Sequence, residues 1–220
     1  MTSQARATVI TVAPIIHLDR VMLGLTAAFG CLGFAAIGVM SAIAGGVAAV
    51  GGLAYGATLA LSSIASLVYN ARFRHRRGER VADRWRLLDH SAIFLLIAGT
   101  YTPFGLLVLS NGLLHLAIVW ALALAGVFLK FVVRFRFQGA FLVLYLATGW
   151  SVIVGMERAF AEIEPLTLML LVAGGAAYTA GVPFHLRKSW RWYSATWHAF
   201  VLAASILHFG AVWATVGSYA

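Results

Sequence analysis

The 220-residue chain has one cysteine, Cys31, and only four prolines. A single thiol excludes an intrachain disulfide and any zinc site built on cysteine. Charge is scarce as well: 10% of residues carry one, and only seven are acidic. A water-soluble domain needs about a quarter charged residues to coat its surface, so the composition excludes an ordinary soluble globule. The short segments of alternating polarity that mark a membrane barrel are missing. Met1–Arg20 holds an early arginine and a short apolar patch, with no small-residue cleavage site, so it does not read as a cleaved signal. There is no internal repeat and no low-complexity linker. The chain therefore reads as one domain, with a cytoplasmic segment over 1–20 and a transmembrane domain over 21–220.

What is present is hydrophobic. Apolar residues make up 62% of the chain, and the mean hydropathy is +0.91. Several apolar runs reach about 20 residues, the length that crosses a hydrocarbon core of roughly 30 Å. The pattern predicts an all-α, seven-transmembrane helix bundle with spans at 21–43, 46–70, 88–109, 112–133, 138–156, 166–185 and 194–217. The stretch "AIAGGVAAVGG" (42–52) must hold a turn, and its Gly-Gly pairs are the expected break.

Fifteen of the sixteen basic residues then fall on one side. They are Arg6 and Arg20, the seven arginines between Arg72 and Arg86, Lys130, Arg134 and Arg136, and Arg187, Lys188 and Arg191. Arg158 alone falls opposite. Basic loops stay in the cytoplasm, which predicts a cytoplasmic N-terminus, an outer C-terminus and a multi-pass protein of the inner (plasma) membrane. The net charge of +9 is then topological. It points to membrane lipids as partners rather than nucleic acid.

Polar groups inside spans are costly, so each is a candidate site. Span two carries Ser62, Ser63, Ser66 and Asn70; span three opens with Asp89 and His90; span seven holds Ser194, His198, Ser205 and His208. At 1.5 Å per residue, Ser66 lies about 9 Å, Asp89 about 4–5 Å and His198 about 10 Å from the nearest cytoplasmic basic residue. The three share one shallow layer and converge if spans two, three and seven pack together. His208 lies about 15 Å deeper. Each also has a structural reading. His198 would donate to a neighbouring helix, Asp89 would cap the start of span three, Ser66 would bond back one turn, and His208 would be a packing residue. His90 would face away from Asp89, because one residue turns a helix by about 100°.

"LLDHSAIFLLIAGTYTPF" (87–104) and "WHAFVLAASILHF" (197–209), with the basic loop between spans two and three, resemble the bacterial hemolysin III proteins of the PAQR group. That group includes the progestin and adiponectin receptors. The resemblance covers the chain from His17 on. It implies an intramembrane zinc site near the cytoplasm, built from an Asp on span three, Ser-x-x-x-His on span two and His-x-x-x-His on span seven. It also implies a relation in architecture to alkaline ceramidases, with hydrolysis of a lipid amide by a zinc-activated water. On that reading Asp89 and Ser66 are catalytic and His198 is a metal ligand.

The carry-over is incomplete. Asn70 stands where the family has the span-two histidine, and Ser194 replaces the first histidine of span seven. An amide and a hydroxyl are poor zinc ligands, so no tightly held cofactor is expected. Ser66, Asn70, Asp89, Ser194 and His198 are expected to form a polar cluster that hydrogen-bonds within itself or binds lipid. The alternatives are a zinc-dependent lipid amide hydrolase with an altered ligand set, and a membrane-perturbing or sensory protein.

Overall fold

A computed structural model describes residues 3–76, 78–151 and 161–220, with side chains from His17 onward. Among these residues the chain is helical and contains no strand. The helices are α1 (Ser3–Ala44), α2 (Gly46–Val68), α3 (Arg80–Leu107), α4 (Gly112–Val133), α5 (Gln138–Gly149), α6 (Pro165–Leu186) and α7 (Tyr193–Gly217). All but α5 are long and apolar enough to cross a membrane, which makes six candidate spans among the described residues. α5 has 12 residues, and positions 152–156 of the expected fifth span lie outside the described residues.

Local chemistry sets several of these ends. α1 and α2 break at Gly45 and Gly46, whose φ values of 68° and 50° fall in the left-handed region that glycine adopts without strain. α6 starts at Glu164-Pro165. The Glu164 carboxylate accepts hydrogen bonds from the amides of Leu166 and Thr167, and Pro165 needs no partner at the first helical position. α2 ends in a π-helical turn, Tyr69–Phe73. One extra residue there rotates the following side chains by about 100° relative to a continuous α-helix.

α3 begins eight residues before the expected 88. The Arg80–Arg86 stretch is helical because Ala82 and Leu87 bury on its inner face and Asp83 meets the positive end of the helix. The residue at the cap position is Glu79. Asp89 is therefore in the helix interior, which corrects the reading of Asp89 as a cap. α1 is likewise continuous from Ser3, so the segment before the first span joins it as one helix.

α1 to α4 pack in chain order, α6 lies against α7, and α7 returns to α1, α2 and α3. One core joins Ile37, Tyr55, Leu59, Phe104, Val212 and Val216. A second joins Phe94, Ala98, Val119, Ala123 and Phe141. Large apolar residues also face outward, among them Leu32 (70% exposed), Phe128 (69%) and Met169 (67%). An apolar outer surface on this scale suits lipid rather than water.

Polar contacts mark the two ends of the bundle. Arg74 bonds Asp19 and Ser194, Arg134 lies 3.6 Å from Asp83, and Arg86 stacks 4.1 Å over Phe135. These contacts gather the arginine-bearing segments at one end, the basic end. At the opposite end Glu162 holds the Ser110 amide and hydroxyl at 2.9 and 2.7 Å, and the Tyr219 hydroxyl donates to Leu107 O at 2.8 Å.

Candidate functional site

A cavity of about 370 Å³ runs between the helices, lined at the basic end by Ser66, Asn70, Asp89, Ser194 and His198. A volume of this size suits a small ligand or part of a lipid. The packing of α2, α3 and α7 against one another brings all five to the lining of this cavity.

They do not form one closed network. Asn70 donates from Nδ2 to Ser66 O at 3.0 Å and to Ser66 Oγ at 3.3 Å, a contact one turn apart across the start of the π turn. Ser194 Oγ accepts from Arg74 Nη1 at 2.9 Å, and the same nitrogen reaches Asp19 Oδ2 at 3.1 Å. The Arg74 guanidinium also lies 5.6 Å from the Tyr193 ring centroid. Asp89 Oδ2 lies 3.4 Å from His90 Nδ1, which donates to Arg86 O at 2.8 Å.

His198 is buried, with 5% exposure. Its Nδ1 has no hydrogen-bond partner. His90 departs from expectation. It shares the cavity wall with Asp89, because the cavity is broad enough to receive side chains from adjacent helical positions. His208 does hold a packing place: Nε2 donates to Leu171 O at 3.1 Å and the ring lies 5.6 Å from that of Tyr178.

Three further residues on the wall were not singled out from the sequence. Arg74 and Lys130 read there as loop charges that set topology. Their long side chains instead turn inward to the cavity, and Lys130 is 1% exposed. His185, near the end of α6, lines the cavity and packs 4.9 Å from the Trp197 ring. Its juxtamembrane position showed its depth but not the direction it faces.

A catalytic zinc takes three protein ligands of nitrogen, sulfur or carboxylate type. Among the described residues no three His, Cys, Asp or Glu side chains come together so as to hold a metal. The positions beside His198 and Ser66 are a hydroxyl and an amide, and the hydroxyl is bonded to a guanidinium. This donor set does not fit the zinc site implied by the resemblance.

The model of the haemolysin-III related family matches residues 11–209. The chain belongs to that family. It is a multi-pass membrane protein, with six apolar helices of spanning length among the described residues. It is 40% identical over 132 residues to Hemolysin-3 of Bacillus cereus, covering 59% of this chain and 60% of that protein. It is 40% identical over 135 residues to the Hemolysin-3 homolog of Bacillus subtilis (strain 168), covering 60% and 62%. The matched region thus spans about three fifths of both Bacillus proteins. The human Monocyte to macrophage differentiation factor is 26% identical over 166 residues, 72% of this chain and 67% of that protein.

Proposed function

We propose that this family member is a seven-span inner-membrane protein, N-terminus in the cytoplasm and C-terminus outside. Its interior cavity takes a membrane lipid, with the head group at the basic end and the acyl chain along the apolar wall. The polar cluster works without tightly held zinc.

The observation that carries this reading is Arg74. Its guanidinium bonds the hydroxyl that replaces the first span-seven histidine, so a fixed cation stands beside the position of a metal ligand. The basic end of the cavity is polar and cationic, while its wall beyond is lined by residues such as Ile97, Leu146, Leu171 and Val201. A cavity of that polarity suits an amphiphile.

A lipid with a photoreactive acyl chain, incorporated in vesicles with the protein, tests it. Adducts on Ile97, Leu146 or Leu171 are the expected result. Labelling confined to outward residues such as Phe128 and Met169 would contradict it. The orientation is checked with single cysteines in a Cys31→Ser background. Position 136 should react from the cytoplasmic side and position 219 from outside.

A zinc-dependent lipid amide hydrolase is the second reading, favoured by the unpartnered His198 Nδ1. It requires release of fatty acid from a lipid amide that His198→Ala abolishes. Intact substrate with the wild-type protein would retire it.

A further inference from the structure

Lys130 lies in the last turn of α4 and is 1% exposed, yet no carboxylate among the described residues lies within 4.0 Å of its ammonium. Its Nζ sits 3.8 Å from the centroid of Phe141 and 5.9 Å from that of Tyr145. Ring faces offset part of the cost of burying a cation, but they supply no acceptor. A buried ammonium without an anion is expensive in a membrane span and marks a site.

Its surroundings are also rich in donors. Gln138 opens α5 and lines the cavity, and its Nε2 is buried without a partner. Gly139 follows on the same wall. The cap residue Phe137, with φ 57°, gives no side-chain hydrogen bond to the first amides of α5, so no cap side chain occupies the positive end of that helix. Arg86 lines the same cavity and stacks on Phe135, just before α5. Asp89, the one carboxylate on the cavity wall among the described residues, faces His90.

We infer that this corner between α4 and α5 is an anion-binding subsite that receives the phosphate of a membrane lipid. The subsite rests on the lipid-cavity reading above and adds to it the charge of the head group. Phosphate supplies acceptor oxygens to Lys130 and Gln138, and the start of α5 adds its free amides. Ile93, Ile97, Leu142 and Leu146 continue the same wall and receive the acyl chain. Lys130 is a ligand-binding residue here, and its burial is tolerated for that purpose.

The test compares dioleoyl phosphatidic acid with dioleoylglycerol, which has the same chains and no phosphate. Delipidated protein in neutral detergent is titrated with each, and with inorganic phosphate, by native mass spectrometry and thermal shift. Phosphatidic acid should bind about tenfold tighter than dioleoylglycerol or better, the size expected of hydrogen bonds to a charged group. Lys130→Met should abolish that preference, and Gln138→Leu should reduce it. Lys130→Met should also raise the melting temperature of the lipid-free protein, because a buried charge is removed at similar volume. If Lys130→Met does not fold, Gln138→Leu carries the same comparison.

Equal binding of the two lipids, unchanged in Lys130→Met and Gln138→Leu, would overturn the subsite and leave the lipid cavity standing. Saturation by inorganic phosphate without preference between the lipids would overturn the lipid as the source of the phosphate. Failure of both lipids to bind would overturn the subsite and the cavity reading together.

Discussion

Arg74 Nη1 stands 2.9 Å from Ser194 Oγ and 3.1 Å from Asp19 Oδ2. One guanidinium thus ties the start of α7 and the body of α1 to the residue that follows the π turn. Arg74 and Asp19 are 20% and 16% exposed, so the pair is shielded enough to matter and wet enough to be discounted from a fully buried one. Arg74→Ala should destabilise the protein by about 1–3 kcal/mol, because Asp19 and Ser194 both lose their partner. Arg74→Lys should fall between, as an ammonium does not reproduce the planar fork. Thermal unfolding in detergent measures both. No shift in Arg74→Ala would show that the contact contributes nothing.

Gly174 of α6 lies against the His208 ring, so that a Cβ at 174 would run into Cδ2 and Nε2. Gly174→Ala should cost about 1–3 kcal/mol through overpacking. His208→Ala alone loses the bond to Leu171 O. The double variant should be more stable than the sum of the singles by more than about 0.5 kcal/mol, since removing the ring vacates the space. Additive losses would contradict the contact.

Glu164 caps α6 as a carboxylate, and the amides of Leu166 and Thr167 hold its pKa below the usual glutamate value. A depressed folded pKa means the contribution is present above the unfolded pKa and is lost as pH falls through the folded one. Protection of the Leu166 and Thr167 amides, taken as exchange relative to the intrinsic rate at each pH, should therefore be high at neutral pH and fall in acid, below the ordinary glutamate range. Glu164→Ala should show low protection at both pH values. A wild-type profile flat with pH would count against the cap.

Much of the bundle was legible in apolar run lengths, since a helix that crosses lipid must satisfy its backbone internally and stay apolar along its length. The Gly45-Gly46 break was legible for the same reason that glycine tolerates a positive φ. The true start of α3 was not. Arg80–Arg86 carries loop-like charge, and only the burial of Ala82 and Leu87 shows that the helix continues past the apolar run. Asp89 consequently shifts from a helix end to a helix interior.

The polar residues of the site were visible by type and depth, but their partners were not. A π turn such as Tyr69–Phe73 has no residue signature, and it alters the direction of everything after it, Arg74 included. Lys130 and Arg74 counted as topology charges because sequence distance gives depth along an axis, not the face a long side chain takes. That is why a cluster expected to bond within itself is instead held partly by Arg74 and Asp19.

Zinc content per chain, measured on protein purified in detergent without added metal or chelator, decides whether this cavity is a metal site. With Ser194 bonded to Arg74 and an amide at Asn70, the wild-type protein should contain far less than about one zinc per chain, the stoichiometry of a catalytic site, while remaining folded. About one zinc per chain, lost in His198→Ala, would contradict the account and return the cavity to metal chemistry.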